Sequence, residues 1–427
     1  SQAELSLFNK VTSKKLQITS SGSLAPIALY KIAKLPPSCN SPYLISEKYV
    51  HQPDVDFTIF WNSFNELYAS FNLRGITQEK WNKLYLSYFY RAKSTTNAQE
   101  LFNLFEEIMQ LSFSEKTVEG RKVKADVHVE LVAPSLDKEI LLYSKSEHDR
   151  GKAAMTNPLD THFGDYIDTT AFSPLVVKGS VYGFYSMFAK IKGSDTGLLV
   201  LNSMFDFSPK KLNLDSDIGF NEELLAVDEL LSQILTLAEK HQLTKIVVDV
   251  RNNVGGYDAI ALKIAGFFAS KRTMALKKAI RIGGTIDHIR MSPLQSFDVE
   301  PAANSFNGEV TLLTSRYTVS AGEVFVMAMK VLPNVTVVGE YTSGSLSDVL
   351  NMHTTNGWTL SLSNELYSSA SSTSVSTKNT LEGSGAKPDH LIVYKPQKGE
   401  SKAPFFDEAF EYSINTTLSF KEVKEFN

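Results

Sequence analysis

The stretch TLLTSRYTVSAGEVFVMAMKVL, Thr311 to Leu332, changes its periodicity around a single serine. Thr311 to Thr314 is a short, apolar, β-prone run, and from Val324 onward Phe325, Met327, Ala328 and Val331 recur at near-helical spacing. A strand therefore hands over to a helix between them, and Ser320 stands at the handover. With Glu323 three residues later it forms an S-x-x-E capping box, in which the hydroxyl accepts from a first-turn N–H and the carboxylate reaches back. A serine at a strand-to-helix turn is also presented at the positive end of a helix, where backbone N–H groups can hold an oxyanion. Cap and nucleophile both stay open on this stretch alone.

The rest of the chain narrows the choice. Its 427 residues allow two or three domains, and 43% hydrophobic with 11% aromatic content supplies a core for most of them. The 43 Lys+Arg against 47 Asp+Glu give a net charge of -4 with no basic stripe or acidic tail, so nothing directs the chain to nucleic acid or an anionic membrane. One cysteine, Cys39 in PPSCNSP, excludes an intrachain disulfide and a cysteine-based metal site, and leaves the compartment undecided. No apolar run approaches the ~18 residues of a membrane-crossing helix. The chain opens on Ser rather than Met, which fits trimming or removal of a signal peptide.

Residues 1–50 read as a small strand-containing segment closed by the linker KLPPSCNSPY. Residues 51–122 read as a helical subdomain: FTIFWNSFNELYASF, TQEKWNKLYLSYFYRAK and TNAQELFNLFEEIMQL each carry helical periodicity, with starts at Thr77 and at Thr96 followed by Gln99 and Glu100. Their aromatic stripe is expected to be core. After the polar insertion SFSEKTVEGRK, the alternating VKADVHVELVA predicts a strand carrying His128. From there strands and helices alternate through TGLLVLNSMFDF, NEELLAVDELLSQILTLAEKH, TKIVVDV, AIALKIAGFFASK, EVTLLTS and NVTVVGE to the hairpin-like NMHTTNGWTLSLS, the pattern of a layered α/β core over residues 123–400. The Ser/Thr tract from Tyr367 to Thr380 reads as a mobile loop, and APFFDEAFEYSIN as a closing helix within residues 401–427.

Between strand Ile246–Val250 and the next predicted helix lies the turn RNNVGGYD. It lacks the Lys-Ser/Thr of a phosphate-binding loop and the dinucleotide fingerprint, so Gly255 and Gly256 are either a tight turn or an oxyanion donor that lets backbone approach a substrate. Asp249, Arg251 and Asn253 are expected to brace this turn by hydrogen bonds. The histidines other than His128 show no metal-ligand spacing, so no metal is expected. Glu323 and Glu340 read as capping and turn residues.

Taken together, GLLVLNSMFDF, IVVDVRNNVGG, LTSRYTVSAGEVFVMAMK, VVGEYTSG and LEGSGAKPDHLIV stand in the order found in one enzyme family. From Asp126 to about Val393 the chain resembles the tail-specific, or C-terminal-processing, serine peptidases (serine peptidase family 41). Within them it is most similar to the branch of tricorn and the interphotoreceptor retinoid-binding protein. The resemblance implies a β-β-α spiral core of the ClpP/crotonase type behind an N-terminal helical subdomain, in a mixed α/β fold. It makes Ser320 the nucleophile, with the N–H of Ala321 and that of Gly255 or Gly256 as oxyanion donors. The lysine that serves as base in one branch would fall in the turn that here reads Gly344, Ser345, Leu346, and it is absent. The tricorn-like branch uses a histidine, which His128 of ADVHVEL matches, and an acidic partner, which Glu382 of LEGSG matches.

An imidazole of pKa near 6.5 can take a seryl proton at neutral pH, provided a third group fixes its tautomer. Val127 stands where the family carries a small or hydroxylated residue, so a hydroxyl relay from Glu382 to His128 is missing. Only Leu131 to Asp195 leaves room for a PDZ domain, and that stretch lacks a carboxylate-binding loop; it is expected to be core. The resemblance implies a protein or peptide substrate, no cofactor, and an exported location at the periplasm or cell surface. The contrasting reading is a binding protein for a peptide or a small apolar ligand on a peptidase scaffold, because fold does not fix function.

Overall fold

The computed structural model describes residues 51–142, 166–170, 173–211, 213–214, 216–374, 379–393 and 407–415, together with the backbone of three strands within residues 8–30. Those three, Phe8–Thr12, Lys15–Ile18 and Ile27–Tyr30, pair antiparallel. The expected linker after them lies outside the described residues.

A seven-stranded sheet organises the molecule. Its order is His390–Leu391, Val335–Gly339, Glu309–Thr314, Lys245–Asp249, Thr196–Leu201, Tyr185–Lys190 and Leu175–Lys178. The first five run parallel, and the last two are added antiparallel. Parallel neighbours need crossovers, which the helices Asp217–Lys240, Asp258–Gly266 and Ala321–Lys330 supply. Covered on both faces, these strands are nearly continuous apolar runs, and all six residues of Thr196–Leu201 are buried. Their shared direction brings the turns after Asp249, Thr314 and Gly339 to one edge of the sheet, so Gly255, Ser320 and Ser345 follow neighbouring strand ends.

Two further sheets flank this layer. In one, the long strand Thr273–Gly283 pairs with Arg290–Met291, Gln295–Val299 and Glu365–Ser369. In the other, Val349–His353, Thr359–Ser363, Glu130–Ala133 and Lys138–Ile140 lie in order. The helices Pro53–Leu67, Gln78–Lys93 and Ala98–Phe113 pack on this second sheet, and their aromatic residues form the core between them. Phe60 stacks on Phe105 with ring centroids 4.3 Å apart, Trp61 on Trp81 at 3.9 Å and Phe64 on Phe113 at 4.5 Å. Burying each such ring contributes roughly 1.5–3 kcal/mol relative to leaving it in water. Val129, Leu131, Trp358, Leu360 and Leu362 complete the same cluster, so the helices do not close their core alone.

Several sequence expectations are corrected. The strand predicted through His128 is broken: residues 124–129 form a turn between Arg121–Val123 and Glu130–Ala133, because the Asp126 side chain accepts from the His128 N–H and its carbonyl from the Val129 N–H. The polar insertion is partly the end of the Ala98–Phe113 helix and partly a hairpin, Lys116–Val118 with Arg121–Val123. The third helix is capped by Asn97, which accepts from the Glu100 N–H at 3.0 Å, while Glu100 reaches back to the Thr96 N–H at 2.7 Å. Tyr367 to Ser369 belong to a paired strand rather than a loop; residues 375–378 of that tract lie outside the described residues. The closing helix is Glu408–Ile414.

Candidate active site

Ser320 does not cap the helix it precedes. Its backbone sits at φ 57° and ψ −129°, its side chain makes no capping hydrogen bond, and Glu323 does not reach back to it. Glu323 is buried and turned to the neighbouring loop. There it accepts from Thr342 Oγ1 at 2.5 Å, the Gly344 N–H at 2.7 Å and the Ser345 N–H at 2.8 Å. Burial pushes the Glu323 carboxyl up, and those three donors pull it back. The positive φ costs a non-glycine residue about 1–3 kcal/mol and is held only where surrounding contacts over-determine it. One such contact is the Ser320 N–H donating to the Ser345 carbonyl at 2.9 Å.

The glycine turn closes against this serine. Gly255, at φ 88°, has no room for a side chain: a Cβ there would lie 2.6 Å from Ser320 Cβ. A Cβ on Gly256, at φ 140°, would lie 2.5 Å from the Met204 backbone. Asn253 ties the turn together, with Oδ1 accepting from the Gly255 N–H at 2.9 Å and Nδ2 donating to the Leu201 carbonyl at 3.0 Å. Arg251 pairs with Asp249 at 2.7 Å and Asp407 at 2.5 Å, so these residues brace the turn as expected. Of the two candidate glycines, Gly255 has its N–H engaged by Asn253. The N–H groups of Gly256 and Ala321 enter none of the hydrogen bonds among the described residues.

His128 arrives on the 124–129 turn. The Val127 N–H donates to Ser345 Oγ at 3.3 Å, and the His128 N–H to Asp126 Oδ1 at 3.2 Å. Ser345, fully buried, thus holds the Ser320 turn through its carbonyl and the His128 turn through its hydroxyl. The two side chains themselves do not meet in a hydrogen bond among the described residues, and His128 Nδ1 is buried with no partner. Burial pushes the imidazole pKa down, while Asp126 and Asp348 raise it.

Glu382 is buried and faces a different task. Its Oε1 accepts from the Ser347 N–H at 2.8 Å and the Leu346 N–H at 3.1 Å, and no ion pair or hydrogen bond joins it to His128 among the described residues. Burial, with Asp126 and Glu323 nearby, pushes its carboxyl well above the usual range, against the pull of the two N–H donors.

Beyond the glycine turn lies an ionic cluster that sequence reading missed. Lys278 Nζ lies 3.1 Å from both Asp348 and Glu365, and Tyr367 Oη donates to Asp258 at 3.0 Å. Burial and the carboxylates of Asp348 and Glu365 push Asp258 up to about 8, against the pull of Lys278. Asp126 and Ser345 were also missed as holding residues. The signal for Asp126 was its place two residues before His128, the spacing of a side chain closing a turn on its own backbone. Nothing in the sequence marked Ser345.

Residues 195–392 match the model of peptidase family S41. That stretch holds Ser320, Gly255, Gly256 and Glu382, and His128 lies before it. A crystal structure of a candidate peptidase from Parabacteroides merdae is 18% identical, with 80% of this chain and 90% of that one covered at a TM-score of 0.56. Mature CPAF complexed with lactacystin is 11% identical over 79% of this chain and 93% of its own, at 0.49. The photosystem II D1 C-terminal processing protease is 14% identical over 81% and 94%, at 0.43. The mixed α/β fold is therefore shared with that candidate peptidase, and the resemblance read from the motifs is met by the family match over residues 195–392.

Proposed function

From a chain whose residues 195–392 match the model of peptidase family S41, we propose a serine peptidase that cleaves protein or peptide substrates through an acyl-enzyme. Ser320 Oγ attacks the scissile carbonyl carbon while neutral His128 takes its proton. The N–H groups of Ala321 and Gly256 hold the oxyanion, and the imidazolium returns the proton to the leaving amine. Water, deprotonated by His128, then attacks the acyl carbon, releasing the acid product and restoring Ser320. Glu382 acts on this pair through the 345–347 loop: it fixes the N–H groups of Leu346 and Ser347, and Ser345 beside them holds both turns.

The observation carrying this reading is Ser320 held at φ 57° with no capping bond, against a glycine that leaves room for it. A fluorophosphonate probe needs an activated serine and no knowledge of the substrate. Wild-type protein is expected to label, Ser320→Ala not at all, and His128→Ala slower by orders of magnitude, since members of such a set act as a unit. The His128 Nδ1, without a hydrogen-bond partner among the described residues, favours the binding-protein reading in one respect, because no bond at that nitrogen fixes the ring's tautomer. Folded wild-type protein that stays unlabelled would hand the function to that reading.

A further inference from the structure

We propose that Asp126, locked in place by Tyr68 and Arg74 of the helical subdomain, is the positioning carboxylate of His128. This rests on His128 being the base. Asp126 is 2% exposed, and both of its oxygens are engaged. Oδ1 accepts from the His128 N–H at 3.2 Å and from Ser363 Oγ at 3.0 Å. Oδ2 accepts from Tyr68 Oη at 2.9 Å and lies 3.8 Å from Arg74 Nη2.

Tyr68 and Arg74 are themselves fixed. Arg74 Nε donates to Tyr68 Oη at 2.5 Å, and its Nη1 to the carbonyls of Phe113 at 2.9 Å and Lys124 at 3.2 Å. The Asp126 N–H donates to that same Phe113 carbonyl at 3.1 Å. The backbone carrying His128 is therefore pinned to the end of the third helix and to the segment after the first. Its conformation is set through Asp126 rather than by a bond to the ring.

The same carboxylate acts on the ring's charge. The groups facing His128 are Asp126 on its own turn and Asp348 on the loop after Ser345, and both favour the imidazolium. Each is paired with a cation, Asp348 with Lys278 and Asp126 with Arg74, but Asp348 is largely exposed, where water and salt screen it, whereas Asp126 is buried. Arg74 and Tyr68 hold Asp126 Oδ2, and Glu382 accepts from the Leu346 and Ser347 N–H groups, with no hydrogen bond or ion pair to the imidazole among the described residues. The buried carboxylate two residues from the ring is left to stabilise the imidazolium that forms when Ser320 gives up its proton.

The experiment is an NMR titration of the histidine side chains in the full chain, with the His128 signal identified by its loss in His128→Gln. Asp126→Asn is expected to lower the His128 pKa by roughly one unit, the scale on which a nearby opposite charge acts. Glu382→Gln is expected to leave it within about 0.2 unit, and Asp348→Asn to move it less than Asp126→Asn does. In the pH profile of fluorophosphonate labelling, Asp126→Asn moves the acid limb downward, because the base then loses its proton at lower pH, and lowers the plateau. An unmoved His128 pKa in folded Asp126→Asn overturns the proposal, as does a Glu382→Gln shift of a unit. If Asp126→Asn fails to fold, the Glu382→Gln titration decides alone: an unmoved pKa supports Asp126 and a shift of a unit overturns it. The titration reads the imidazole itself. Wild-type protein that does not label but titrates as expected removes the peptidase reading, and with it His128 as base, and leaves Asp126 as the carboxylate that positions the ring.

Discussion

At Ser320 the backbone speaks against one of the two roles that the sequence left open. A capping serine turns its oxygen back to the first N–H groups of its helix, and losing it costs about 0.5–2 kcal/mol. Ser320 makes no such bond, and its φ of 57° points the residue away from that arrangement. Ser320→Ala should therefore leave the urea unfolding free energy within about 0.5 kcal/mol of wild type, the range of substitutions that touch no such feature. A loss near 1 kcal/mol or more would restore the cap. The strand-to-helix turn at Ser320 and the tight turn at Gly255 and Gly256 were legible because each sits in a motif whose spacing survives in the linear chain. The setting of His128 was not, because alternation along VKADVHVELVA says nothing of a carboxylate that folds back onto its own backbone.

The Ala321–Lys330 helix and the 342–347 loop illustrate how elements share a charge. Glu323 projects from the helix's first turn into the loop, where two backbone N–H groups and one hydroxyl converge on it. Glu323→Gln keeps the shape but sets an amide NH2 against an N–H, leaving a buried donor unmet at a cost of about 1–3 kcal/mol. Because the loop carries Ser345, which holds the Ser320 N–H, fluorophosphonate labelling should slow in the same variant; unchanged stability and labelling would detach loop from helix. The strand Thr273–Gly283 shows why some elements stay hidden from sequence. Lys277, Lys278 and Arg281 spoil its apolar pattern, yet Lys278 and Arg281 are buried. Their partners come from afar: Asp348 and Glu365 for Lys278, and the carbonyls of Asn65 and Tyr68 for Arg281.

Across the whole molecule, the helical subdomain and the α/β core meet through both apolar and polar contacts. Trp61, Trp81 and Trp358 all lie in the cluster that the helices share with the second sheet, and the central-sheet cluster contains no tryptophan. Tryptophan fluorescence thus follows the first cluster, while far-UV circular dichroism follows the whole chain. With Arg74 on Asp126 and Arg281 on the Tyr68 carbonyl joining the parts, the two signals should give one coincident urea transition. Separate midpoints would show parts that unfold independently. The helical subdomain and the α/β alternation were legible from periodicity; their shared core was not, since it depends on residues as distant as Phe105 and Trp358. The placement of His128 upstream of residue 195 also bears on how such a chain changes over generations. A change at His128 would leave every residue of that matched stretch in place, so two chains alike across residues 195–392 can differ in what stands at the 124–129 turn.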